Sequence, residues 1–159
     1  MVSDMPTYDD KVDRVVSDRM RAVPNRDTRP ELRLRSALHR IGLRYRVNQR
    51  PISGVRRSGD IVFGPAHVVV MVDGCFWHGC PDHMRPSTRN AAFWSNKIET
   101  NRRRDRETDQ LFSDAGWLVV RVWEHEDAQE AATRIAQIVA TRRAPARHRV
   151  SRPESPDGT

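Results

Sequence analysis

The chain reads as an α/β domain, a small mixed sheet flanked by helices. Stretches with a helical apolar period alternate with short β-branched runs, in the order helix, strands, helix, strand, helix. A length of 159 residues with 37% hydrophobic content suits one domain with a sizeable core and polar tails.

Residues 1–16 are polar and expected to be a flexible arm. Ser17 to Arg26 is a basic segment that carries Met20. A helix starts at Asp27-Thr-Arg-Pro-Glu31, with Thr28 as N-cap, Pro30 in the first turn and Glu31 completing a capping box. Leu34, Ala37, Leu38 and Ile41 then mark one apolar face, and Gly42 stops the helix. Leu43 to Val47 alternates apolar and basic residues as a strand does, and Gln49 to Ser58 is a turn-rich basic connection. Asp60 to Phe63 and Val68 to Val72 are adjacent strands, with Gly64-Pro65 as the hairpin signal between them. A long helix covers roughly residues 90–115. Its apolar positions are Phe93, Trp94, Ile98, Leu111 and Phe112, its middle is almost entirely charged, and Gly116 ends it. Trp117 to Trp123 is a further strand, with Trp117 and Trp123 assigned to the core. Ala128, Ala131, Ala132, Ile135, Ile138 and Val139 mark a last amphipathic helix. The domain is therefore expected over residues 17–141, and the Pro/Arg/Ser tail 142–159 is expected to be disordered.

No run approaches the roughly 18 apolar residues of a membrane span. The first ten residues are acidic and polar without an apolar signal core, so the protein is expected inside the cell, in the cytoplasm and on the bacterial nucleoid. Net charge is +7, and 26 of the 28 basic residues are arginine. Arginine forks onto phosphates and guanine edges and stacks on bases, so nucleic acid is the leading partner class. GC-rich coding would inflate the Arg/Lys ratio without function, but it does not explain the excess of positive charge.

Val72-Asp-Gly-Cys-Phe-Trp-His-Gly-Cys-Pro-Asp-His83 holds both cysteines and two of the six histidines, just past a strand end. Cys75, Cys80 and His83 are three ligands of the type structural zinc takes in its tetrahedral shell. His125, just after the Leu118 to Trp123 run, is the best fourth, and Asp82 is the alternative third. Buried free thiols beside unrelated histidines are the plainer reading, and a disulfide is the other; nothing in the sequence suggests export. Phe76-Trp77, in the same loop, offers flat surfaces for stacking.

Asp60, at the edge of a basic cleft, has the chemistry of a Mg²⁺ ligand, because Mg²⁺ takes one or two protein carboxylates together with phosphate oxygens. A neutral His78 imidazole has the chemistry to take a proton from water, with Glu31 placed to orient it. Each also has an ordinary role: Asp60 in a turn or cap, Glu31 as capping partner, His78 as a solvated loop residue. Core packing on the helix face is the alternative for Trp94 and the assignment for Phe93.

Taken together, Met20-Arg-Ala, Arg26-Asp-Thr28, Glu31, Ser58-Gly-Asp-Ile-Val-Phe63, Gly74-Cys-Phe-Trp-His78, Phe93-Trp94, Lys97-Ile98, Asn101, Arg104-Asp-Arg106, Gly116-Trp117 and Val122-Trp-Glu124 resemble the very short patch repair (Vsr) endonucleases. These belong to the PD-(D/E)xK restriction-endonuclease-like superfamily. The resemblance runs from Ser17 to Glu126, about two thirds of the chain. It implies a three-layer fold with a structural zinc on Cys75, Cys80, His83 and His125. It also implies a catalytic Mg²⁺ held by Asp60 beside the Val72 carbonyl, with His78 as general base or water-orienting group supported by Glu31, and Asp105 as a further acid. Asp73 stands where a well-known pattern of the family has histidine, and is an active-site acid or a second metal ligand. The superfamily lysine is missing from Val72 to Cys75. Phe76, Trp77 and Trp94 would wedge into DNA from the major groove and Met20 from the minor groove, with Arg19, Arg21 and Arg26 as further DNA contacts. Wedges unstack a step most easily where pairing is already poor.

The implied function is Mg²⁺-dependent nicking 5′ to the thymine of a T:G mismatch left by 5-methylcytosine deamination, by a protein acting as a monomer. A DNA cytosine methyltransferase and mismatch-repair proteins of the same pathway are candidate partners. The alternatives are a sequence- or structure-specific nuclease on the same fold and a zinc-stabilised DNA-binding module without catalysis.

Overall fold

A computed structural model describes residues 26–85 and 90–143. The N-terminal arm, Arg19, Met20, Arg21 and the stretch from 144 onward lie outside the described residues.

Helix α1 spans Arg29–Arg40 and buries Glu31, Leu34, Ala37 and Leu38. Its start corrects the capping-box expectation. The Thr28 hydroxyl makes no cap bond; it donates to Glu31 Oε1 at 2.9 Å, while Glu31 Oε2 accepts the Asp27 N–H at 3.0 Å. The helix closes through Leu43 N–H to Leu38 O, and Tyr45 donates its hydroxyl to Arg35 O at 2.7 Å. Residues 43–45 are thereby tied back to α1, so strand β1 begins only at Arg46 and runs to Gln49.

β2 (Gly59–Phe63) and β3 (Val68–Asp73) are joined by a short 3₁₀ turn, Gly64–Ala66. Helix α2 is Ala91–Asp114, β4 is Leu118–Trp123 and helix α3 is Ala128–Arg143. The sheet order is β1-β2-β3-β4, with two antiparallel pairings followed by a parallel one between β3 and β4, hence a mixed sheet. None of the described helices is long and apolar enough to cross a membrane.

Period-two alternation divides the strand residues between two faces. Ile61, Phe63, Val68, Val70, Val120 and Val122 pack with Leu34 and Leu38 of α1 and Ile135 and Val139 of α3. Val62 and Val69 lie on the other face and pack with Phe112 of α2. The result is three layers, α1 and α3 on one side of the sheet and α2 on the other. Trp117 packs against the smaller cluster and against His67, at 4.8 Å between ring centroids, while Trp123 stacks on His125; both are half-buried rather than fully internal. Helix α3 continues two residues past the point where the tail was expected, because Arg142 donates to Ala66 O and Gly116 O.

Candidate active site and metal centre

The last registered pair of the β2–β3 ladder is Ile61 with Val70. Beyond it Val72 N–H donates to the Asp60 carboxylate, at 2.7 Å. By strand alternation Asp60, Asp73 and Arg121 share the face covered by α2. A cleft of about 730 Å³ opens there, with Glu31, Asp60, Val72, Asp73, His78, Asp105, Trp77, Lys97 and Arg104 among its walls. Gly59 is required by the packing next to Asp60: a Cβ there would come within 2.3 Å of the Val69 side chain.

Burial pushes the Asp60 carboxyl up to about 6; the Val72 N–H works against this, and the charges of Glu31 and Asp73 add to it. The second Asp60 oxygen has no protein donor among the described residues. A carboxylate with a free oxygen, held among other acids and facing basic side chains, fits a hard divalent cation.

His78 Nδ1 lies 2.6 Å from Asp105 Oδ2 and 3.7 Å from Asp73 Oδ1. Its partner is Asp105 on α2, which corrects the expectation that Glu31 supports it. Glu31 is consumed locally, by Asp27 N–H, the Thr28 hydroxyl and Arg35 Nη2. Asp73 is 4% exposed, and both its oxygens accept from Arg121 Nη1, at 2.8 and 2.7 Å. Burial raises the Asp73 carboxyl above its ordinary value, with Arg121 and His78 acting in the opposite sense. For Arg121, burial alone would weaken its hold on the proton, but Asp109 and Asp73 more than offset this and leave it raised.

The loop after β3 is a series of turns in which Cys80 N–H donates to Cys75 O. Gly79 has φ +64, and the Arg102 guanidinium lies over it and donates to its carbonyl at 2.6 Å. Asn101 donates to Trp77 O at 2.8 Å, so α2 clamps this loop at two points. The loop brings Cys75, Cys80 and His83 next to His125, with ligand atoms of all four within 4.8 Å of one another. Asp82 is not part of the group. Both cysteines are free and buried. Burial pushes the Cys75 thiol up to about 11, with the Cys80 thiol adding to the effect. Two thiols and two imidazoles converging in this way fit a tetrahedral zinc shell.

At the cleft rim Phe76, Trp77 and Trp94 form a mutually edge-on cluster, with ring centroids 5.4 to 6.1 Å apart. Phe93 packs edge-on against Trp94 at 5.1 Å and is 57% exposed, so its assignment to the core is corrected: it extends the rim cluster into solvent. Arg26 is exposed beside the start of α1. Arg121, Asn101, Arg102 and Lys97 were not singled out by role from the sequence. Arg121 carried a usable signal, since a lone charge in Leu-Val-Val-Arg-Val-Trp must find buried partners.

A sequence model of the family described as DNA mismatch endonuclease Vsr matches residues 8–97. That stretch includes Asp60 and the Cys75–His83 loop; Asp105, Arg121 and His125 lie beyond it. The type II nicking enzyme V.NaeI of Lentzea aerocolonigenes is 45% identical over 85% of this chain and 81% of its own length. The type II nicking enzyme V.XorIIP of Xanthomonas oryzae pv. oryzae is 41% identical over 67% of this chain and 77% of its own. The DNA mismatch endonuclease Vsr of Escherichia coli (strain K12) is 38% identical, over 76% of this chain and 74% of its own. With the family match covering more than half of its residues and these relatives most of its length, the chain belongs to the Vsr family of DNA mismatch endonucleases and is a DNA endonuclease.

Proposed function

We propose that this endonuclease nicks one strand of duplex DNA 5′ to the thymine of a T:G mismatch left by deamination of 5-methylcytosine, and so initiates very short patch repair. The observation that carries the reading is the convergence, in one cleft, of Asp60, the His78–Asp105 pair and an aromatic rim. The names of the relatives, a mismatch endonuclease and nicking enzymes, support cleavage of a single strand. The three layers accord with the restriction-endonuclease-like fold that the family implies.

Asp60, with the Val72 carbonyl beside it, would hold Mg²⁺. When bound, the ion neutralises charge building on the scissile phosphate and lowers the pKa of water. In the tautomer that donates Nδ1–H to Asp105, His78 carries its lone pair on Nε2, free to accept a proton. Nε2 takes a proton from water, the water oxygen bonds to phosphorus, and the bond from phosphorus to the leaving sugar oxygen breaks; that oxygen takes a proton from solvent, and the imidazolium afterwards returns its own to solvent. Asp105 fixes the tautomer and stabilises the imidazolium. Asp73 acts through its pair with Arg121, and Glu31 sets the acid wall of the cleft from the first turn of α1.

Phe76, Trp77 and Trp94 would enter the stack beside the mismatch, joined by Met20, with Arg19, Arg21 and Arg26 on the backbone. Cys75, Cys80, His83 and His125 would hold Zn²⁺, which ties the loop bearing Phe76, Trp77 and His78 to the end of β4. Residues 17–141 would make up the catalytic domain, acting as a monomer in the cytoplasm, with the flanking basic tail adding phosphate affinity.

Asp60→Ala and His78→Ala test the assignment. Both variants are expected to keep mismatch binding, measured by gel shift, and to lose cleavage. Undiminished nicking by either would remove that residue from the chemistry.

A further inference from the structure

Strand β4 is apolar apart from one residue, Arg121, whose side chain is 23% exposed. Its guanidinium is engaged at every nitrogen. Nη1 meets both Asp73 oxygens, Nε and Nη2 meet the two oxygens of Asp109 at 3.0 and 2.8 Å, and Nη2 also lies 3.6 Å from Asp105 Oδ1.

We infer that Arg121 is a positioning residue for cleavage: its guanidinium withdraws Asp73 from His78 and leaves Asp105 as the sole partner of the imidazole. The inference rests on the reading of His78 as the base. Two carboxylates stand within reach of His78 Nδ1, Asp105 at 2.6 Å and Asp73 at 3.7 Å. An imidazole that donates now to one and now to the other does not hold its Nε2 at a fixed point over the phosphate. Arg121 decides the competition by setting Nη1 on both oxygens of Asp73, while the fork of Nε and Nη2 on Asp109 fixes the guanidinium plane. A lysine would supply the charge without that fork.

The test is single-turnover nicking by Arg121→Gln, Arg121→Lys and the double variant Arg121→Gln/Asp73→Asn, each well below its own melting temperature. Arg121→Gln is expected to lose about 10- to 100-fold in the cleavage rate with KM for the duplex changed less than about twofold. Arg121→Lys should fall between it and the wild type. The double variant, which removes the competing Asp73 carboxylate and leaves Asp105 as the one carboxylate within reach of His78 Nδ1 among the described residues, should recover most of the loss. Should Arg121→Gln fail to fold, Arg121→Lys and the double variant carry the comparison. A wild-type rate in folded Arg121→Gln overturns the inference, as does a loss confined to KM, or a double variant no faster than the single. His78→Ala, measured alongside, separates the two levels: retained cleavage there removes the reading itself, whereas an inactive His78→Ala beside an unimpaired Arg121→Gln removes only the role of Arg121.

Discussion

Replacing Asp60 with asparagine separates what this carboxylate does to the fold from what it does for the reaction. Its folded-state value is about 6 against an ordinary 3.8, chiefly through burial. At about 1.36 kcal/mol per pKa unit, the ionised side chain destabilises the metal-free fold by at most about 3 kcal/mol. Because the folded value is raised, the carboxyl contributes stability in full below pH 3.8 and loses it as pH rises through about 6. Asparagine keeps the shape and an oxygen to accept the Val72 N–H, so Asp60→Asn should be more stable than wild type by about 1–3 kcal/mol at neutral pH. The gap should close below about pH 4. The assay is urea unfolding of zinc-loaded, magnesium-free protein across this range. Added Mg²⁺ should then stabilise the wild type alone, by the mass action of a ligand that binds only the native state. A variant no more stable than wild type at neutral pH, or a gap independent of pH, would refute the reasoning.

Further outcomes follow from other parts of the site. Asp105→Asn, which leaves the geometry intact but no longer stabilises the imidazolium, should lower the cleavage rate by about 10²- to 10⁴-fold, with mismatch affinity in a gel shift unchanged. Cys80→Ser should release zinc, read by atomic absorption, lower the melting temperature and abolish nicking, because the loop carrying His78 loses its anchor to His125. Trp77→Ala should lower the preference for mismatched over matched duplex about tenfold or more, since a stacked ring is worth roughly 1–3 kcal/mol; an unchanged ratio would take this ring out of mismatch reading. Gly59→Ala should destabilise by about 1–3 kcal/mol in urea unfolding, because its methyl group meets the buried Val69 side chain.

The elements legible in the sequence were those with local causes. The apolar spacing of α1 and α3, the β-branched runs of β2, β3 and β4 and the Gly64-Pro65 turn all act within a few residues, and their bounds fall close to expectation. The Cys/His group was legible as well, because three of its members sit within nine residues and His125 follows the strand parallel to β3. What the sequence did not reveal was pairing across the fold. Asp105 reaches His78 only because α2 crosses the sheet face that bears Asp73, a relation set by packing and not by spacing. Glu31 was paired with His78 from its chemistry and from the resemblance, whereas its own helix start, through the Asp27 N–H and the Thr28 hydroxyl, has a nearer use for the carboxylate. Phe93 fits a helical apolar stripe, yet the first turns of α2 run past the edge of the core, so the same period leaves it in solvent.

The most direct test of the account is cleavage, in Mg²⁺, of a labelled duplex with one T:G mismatch in a cytosine-methylation context, beside matched T:A and C:G duplexes. The account predicts a single-strand nick 5′ to the mismatched thymine and none in the controls. Equal cleavage of all three duplexes would contradict the mismatch reading and leave a nuclease of another specificity.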